Sequence, residues 1–143
     1  MREIKFRGKS IETGEWVYGY YVYTHDRHRI IYEDYEGFYC EEEVDPETVG
    51  QYINLKDKAG REIYEGDILN LKTRKHNGSF FDLEIETIYK QSVIEWWQSH
   101  SNIGYRLRDA KGKTMMIKPS SLNTMEAEVI GNIYDNPELL GVR

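Results

Sequence analysis

The stretch Val49-Gly50-Gln51-Tyr52-Ile53-Asn54-Leu55-Lys56-Asp57-Lys58-Ala59-Gly60-Arg61-Glu62-Ile63-Tyr64-Glu65-Gly66-Asp67-Ile68-Leu69-Asn70-Leu71 decides the fold class. Val49 to Ile53 is extended and rich in residues that suit a pleated surface. Asp57 to Gly60 has the chemistry of a chain reversal, because Asp bonds its own downstream backbone and Gly accepts φ > 0. Ile63-Tyr64 resumes an apolar run. Glu65-Gly66-Asp67 breaks it, and Ile68, Leu69 and Leu71 open the next strand. Strands this short, separated by tight turns, point to antiparallel β structure of the kind that builds small barrels.

Outward from this centre the same grammar continues. Toward the N-terminus, Ile4 and Phe6 share one face of a strand, the chain reverses before Gly14, and Trp16 to Val22 forms the second arm of a hairpin. Gly19 interrupts that aromatic run and predicts a bulge or a tight crossing of strands. Arg29 to Tyr32 and Gly37 to Cys40 are two shorter strands around an acidic turn, and Asp45-Pro46-Glu47 is a further turn. Toward the C-terminus, Lys72 to Ser79 reads as a polar loop around Asn77-Gly78. Phe81, Leu83, Ile85, Thr87 and Tyr89 follow at strict alternation and are expected to line one face. Val93 to Trp97 and Gly104 to Arg108 add strands, Asp109 to Lys113 reads as a hairpin connection, and Thr114 to Ile117 follows. Ser120 to Thr124 holds a short helical turn, and Ala127 to Tyr134 is a last strand interrupted by Gly131.

At 143 residues the chain fits one domain or two very small ones and needs no disulfide or structural metal for its core. Cys40 stands alone, so a disulfide framework within the chain is excluded and a reducing cytosol is the expected compartment. Met1 to Arg7 alternates charge instead of running apolar, and no segment approaches the roughly 18 apolar residues of a membrane span. The expected protein is cytoplasmic, with no membrane partner. The net charge is −6, and it is uneven: residues 1–58 hold 8 basic and 13 acidic side chains, residues 59–143 hold 11 and 12. That balance works against nonspecific attraction to nucleic acid.

Three blocks carry a family resemblance: Arg2 to Gly8 with Gly14 to Gly19; Val49 to Tyr52 through Leu55-Lys56-Asp57 into Ile63 to Ile68; and Glu128 to Leu140. Together they resemble the YopX family of phage and prophage proteins, with Gly8-Lys9 standing where many members carry Ala-Trp. Residues 70 to 127 match only in being β-rich. The resemblance implies a mainly β fold with a small N-terminal β module, residues 1–58, followed by an SH3-like C-terminal β-barrel, residues 59–143. It implies a phage or prophage accessory protein in a bacterial host cell and brings no catalytic residues or cofactor.

The candidate contact residues are Trp96, Trp97, Tyr105, Arg106, Arg108, Lys111 and Lys113. Adjacent strand residues point to opposite faces, so one of the paired indoles is expected in the core and the other at the surface. Basic side chains interleaved with aromatics suit stacking on bases and tracking of phosphates. The acidic total favours a plainer reading of these residues, solvated Lys and Arg on β-hairpins with the aromatics in the core. The function expected first is a non-catalytic module that binds a protein partner, a host or phage factor, or its own copies, with a nucleic-acid-binding barrel as the alternative. His25-Asp26-Arg27-His28, with Cys40, Asp34 and His76 or His100, has poor zinc spacing, so no metal site is assigned and a metal-dependent enzyme ranks last. No phosphate loop, nucleophile elbow or zinc-protease motif occurs, so no catalytic or cofactor residue is assigned either. The eight acids between residues 30 and 50, with no Lys or Arg among them, are expected to be a solvated face, with attraction of a basic partner or imitation of DNA as the alternatives.

Overall fold

A computed structural model of the chain describes residues 1–78 and 84–141. The chain divides into two compact units, Met1–Asn54 and Leu55–Arg143. The protein is mainly β, with antiparallel pairing throughout the described register and one short α-helix among the described residues.

The first unit holds β1 (Phe6–Lys9), β2 (Trp16–Thr24), β3 (Arg27–Glu33), β4 (Tyr39–Glu43) and most of β5 (Gly50–Lys56), in the order β4-β3-β2-β1-β5. Strand β2 serves two partners in succession. Trp16 to Gly19 pair with β1, and Tyr20 to Thr24 pair with β3. Gly19 is the corner: a Cβ there would lie 2.1 Å from the carbonyl oxygen of Ile31, so only glycine admits the close approach. The expected tight crossing is therefore present. His25 and Asp26, with φ of 54° and 59°, make the two-residue turn of the β2–β3 hairpin, where positive φ at both positions matches the strand twist. The sheet curls further, because Ser10 bridges Val44 and the amide of Asp45 donates to Lys9. Ile30 and Val44 are buried inside this curl, and Val44 packs against Gly8.

The second unit contains the last residues of β5, then β6 (Glu62–Tyr64), which neighbours β5, and a five-stranded sheet. Its strands are β7 (Asp67–Asn77), β8 (Glu84–Gln98), β9 (Ile103–Asp109), β10 (Thr114–Met116) and β11 (Glu128–Asn132), ordered β10-β9-β8-β7-β11. The described pairings leave β10 and β11 as edges. The helix α1 (Pro119–Thr124) covers the segment where a short helical turn was expected. Register places Leu69, Leu71, Ile94 and Leu107 on one face, where all four are buried. On the opposite face Ile68 and Val93 pack with Leu140, joined by Ile133 and Leu139.

Two of the blocks that carry the family resemblance meet here. Gly66, at φ 88°, lies where a Cβ would come within 2.8 Å of the Tyr134 ring, and its carbonyl accepts the Ile133 amide. A Cβ on Gly131 would meet the Asn136 side chain at 2.5 Å. The motif residues are therefore those that let the C-terminal segment close over Ile68.

One turn chemistry occurs three times. In Asp34–Phe38, Asp57–Arg61 and Asp109–Lys113, the Asp side chain accepts the amides two and four residues on, and the glycine at the fourth position has φ of 86°, 82° and 82°. The three copies differ in what else the carboxylate holds. Asp34 adds a long contact from the Cys40 thiol at 4.0 Å. Asp109 adds an ion pair to Lys90 at 2.7 Å. Asp57, whose side chain has no exposed surface, adds the amide of Val129 on β11 at 2.9 Å and the Arg61 guanidinium at 3.3 Å.

Two expectations change. Lys72 to Asn77, read as part of a polar loop, instead continue β7 and pair with β8, because the polar side chains of an exposed arm suit a strand as well as a loop; Ser79 lies outside the described residues. Residues 84–98 form one 15-residue strand, where the sequence suggests two, because Lys90 and Ser92 sit in register against β7 instead of breaking the pairing. As their alternation predicts, Ile85, Thr87 and Tyr89 share one face of β8, and that face is exposed on a two-stranded arm with β7; Phe81 and Leu83 lie outside the described residues.

Candidate functional site

The seven candidate residues fall on β8, on β9 and in the β9–β10 turn. Register sets Trp96 opposite Tyr105, Glu95 opposite Arg106 and Trp97 opposite Gly104. Trp96 and Trp97 do point to opposite faces, but neither fills the core. This end of β8 runs past the buried layer, which stops at Ile94 and Leu107. Trp96 is 52% exposed and meets Tyr105 edge to face with ring centroids 5.0 Å apart. Ile103 and Met115 share its face by register and are 59% and 43% exposed. Trp97, half-buried on the other face, carries the Arg106 guanidinium 4.8 Å from its ring centroid and directs its indole nitrogen at the Met116 sulfur, 3.3 Å away.

The two arginines share one carboxylate. Glu95 stands between them, accepting from Arg106 Nε at 2.7 Å and from Arg108 Nε at 3.0 Å. Burial pushes the Glu95 carboxyl upward, and the two guanidinium groups outweigh it and hold the carboxyl below its ordinary value. Lys90 holds the Asp109 carboxyl below its ordinary value, against a smaller opposing effect of burial, and the amides of Lys113 and Lys111 add to the lowering. Lys111 and Lys113 are exposed at that turn. Sequence inspection missed Glu95, because its position between two arginines of another strand is a fact of register and has no local signature.

The other singled-out groups do not converge. His28 Nδ1 bonds the Tyr21 hydroxyl, and its ring stacks on Tyr23 at 4.5 Å. His25 is in the β2–β3 turn. Among the described residues no three His, Cys, Asp or Glu side chains are grouped to hold a metal ion. No described helix is long and apolar enough to cross a membrane.

Fold and surface together define a class: a two-unit, antiparallel β protein whose second sheet gathers aromatic, methionine and arginine side chains at one end. The family model described as YopX protein matches residues 5–141, and the chain belongs to that family. Its fold is similar to that of protein EF1440 from Enterococcus faecalis, whose crystal structure matches with a TM-score of 0.55 and 21% identity, covering 98% of this chain and 99% of that one. No curated protein matches the chain by sequence.

Proposed function

We propose that the chain is a non-catalytic interaction module, a cytoplasmic accessory protein of a phage or prophage. It binds a protein partner, a host or phage factor, or a second copy of itself through the end of β8, β9 and β10. The second unit is read as the family's SH3-like β-barrel; the described pairings give it five strands in the order β10-β9-β8-β7-β11 and do not join β10 to β11. The observation that carries the reading is the exposed set Trp96, Ile103 and Met115, with Trp96 braced by Tyr105. Aromatic residues and methionine are enriched at interfaces, and an indole already fixed by a neighbour loses little freedom on binding. The all-exposed edge strand β10 adds unpaired backbone to the same place.

Nucleic acid is the second reading, favoured by Lys111, Lys113 and the stacked Arg106. It ranks lower because Glu95 pairs with Arg106 and Arg108 and because the chain as a whole carries a net charge of −6. Affinity capture from infected or induced cells, with the native mass measured alongside, tests the first reading. The expected result is a reproducible partner or a self-associated mass that Trp96→Ala abolishes. Titration with single-stranded and duplex DNA and RNA at two salt concentrations tests the second; salt-sensitive binding at micromolar protein would reverse the ranking.

A further inference from the structure

The first unit carries a different surface. Where β2 leaves β3 at Gly19, an open groove of about 460 Å³ lies among Tyr18, Gly19, Tyr20, Tyr32, Tyr39 and Glu33. It adjoins a second depression that shares Tyr18 and Tyr32 and adds Trp16, Glu15 and Glu42. No Lys or Arg lines either part among the described residues. Tyr20 and Tyr39 are 64% and 66% exposed. Arg29 pairs with Glu41 at 3.2 Å, and the Trp16 ring at the far end of the second depression already carries Arg7 and Lys9, 4.5 and 5.8 Å from its centroid, which leaves the tyrosine walls as the surface open to a ligand cation. Glu42 accepts the Ser10 hydroxyl.

Charge is divided between the units in a way the total conceals. Met1–Asn54 holds 6 basic and 12 acidic side chains, and Leu55–Arg143 holds 13 of each. The whole excess of −6 therefore belongs to the unit that bears the groove. Aromatic walls with an acidic rim attract cations twice over, through the ring faces and through Coulomb attraction. Tyrosine-lined grooves also suit a polyproline helix, which is already extended and loses little entropy when it docks.

We propose that the Gly19 groove binds an extended, proline-containing segment of another protein that carries arginine or lysine. The glutamates Glu15 and Glu33 attract its cations, and Tyr20 and Tyr39 pack against its prolines. The groove belongs to the first unit and Trp96 to the second, and this proposal does not depend on the assignment of the Trp96 face.

The test is fluorescence anisotropy with a labelled twelve-residue peptide of repeated Pro-Pro-Arg, against repeated Pro-Pro-Glu and repeated Gly-Ser-Arg, with the full chain. Saturable binding of the first alone is expected, weakening as salt is raised. Tyr20→Ala and Glu33→Lys, both at exposed side chains, should each weaken it at least about tenfold, roughly 1.4 kcal/mol. Glu47→Lys, an exposed charge change outside the groove, and Trp96→Ala should leave it within about twofold of wild type, a difference of roughly 0.4 kcal/mol. Far-UV circular dichroism confirms that each variant is folded. Absence of binding at millimolar peptide, equal binding of the Gly-Ser-Arg or Pro-Pro-Glu peptide, or equal losses in Glu47→Lys would each overturn the proposal.

Discussion

The three Asp-x-x-Gly turns are a built-in comparison, and truncating each aspartate should give a graded loss of stability. Asp34→Ala removes an acceptor from two exposed amides, those of Glu36 and Phe38, which water can then satisfy. Its cost should be about 1 kcal/mol, like the loss of a helix cap that makes the same kind of bond. Asp57→Ala removes an acceptor from the amides of Ala59, Arg61 and Val129 and a partner from the Arg61 guanidinium. The Val129 bond ties a turn to a strand 72 residues away, and the carboxylate making it is fully covered. Bonds to a charged acceptor contribute about 1.5–3 kcal/mol each, and part of the loss is recovered by water at the two turn amides, so about 3–5 kcal/mol is expected in total. Asp109→Ala should fall between, since it loses two turn amides and the Lys90 ion pair.

Guanidinium denaturation reads this series, with Trp16 reporting the first unit and Trp96 and Trp97 the second. The midpoint should fall least for Asp34→Ala and most for Asp57→Ala. Equal losses at all three positions would refute the reasoning, since they would mean that the local turn bonds carry the whole effect.

Further outcomes follow from individual contacts. The Asp57 carboxyl is pushed up by burial and brought below its ordinary 3.8 by the stronger pull of three amides and Arg61. Its folded value is therefore the lower one, so the stabilisation is complete above about pH 4 and drains away as pH falls through that lower value. Acid unfolding of Asp57→Asn should show a shallower pH dependence than wild type below about pH 4. Gly19→Ala forces a methyl against the Ile31 carbonyl and should destabilise the first unit by about 3 kcal/mol or more, seen in the Trp16 transition. Glu95→Ala leaves Arg106 and Arg108 adjacent without their carboxylate; it should raise affinity for single-stranded DNA at low salt, measured by anisotropy, while Glu47→Lys raises it less.

How much of this was legible in the sequence depends on how local the cause is. The turns at Asp57 and Asp109 were readable because Asp and Gly act within five residues. Gly19 was readable as a crossing because a glycine inside an aromatic run gives up packing surface, a loss that makes sense where two backbones must come close. The opposite directions of Trp96 and Trp97 follow from strand geometry, but their distance from the core does not, since the buried layer ends where facing strands end. For the same reason the alternation that sets Ile85 and Tyr89 on one face did not reveal that this face lies beyond the core. Glu95 and the Val129 contact of Asp57 were invisible because both are set by cross-strand or distant register. The acidic run between residues 30 and 50 was plain in the sequence, yet its place beside a tyrosine groove emerged only from the corner at Gly19.

The most direct test of the account combines partner capture with oxidative footprinting of the resulting complex. The account predicts that Trp96 and Met115 are protected from oxidation in the complex relative to the isolated chain, and that Trp96→Ala with Met115→Ser releases the partner while the isolated variant stays folded. Unchanged oxidation of both residues in the complex, together with full capture by the double variant, would contradict it.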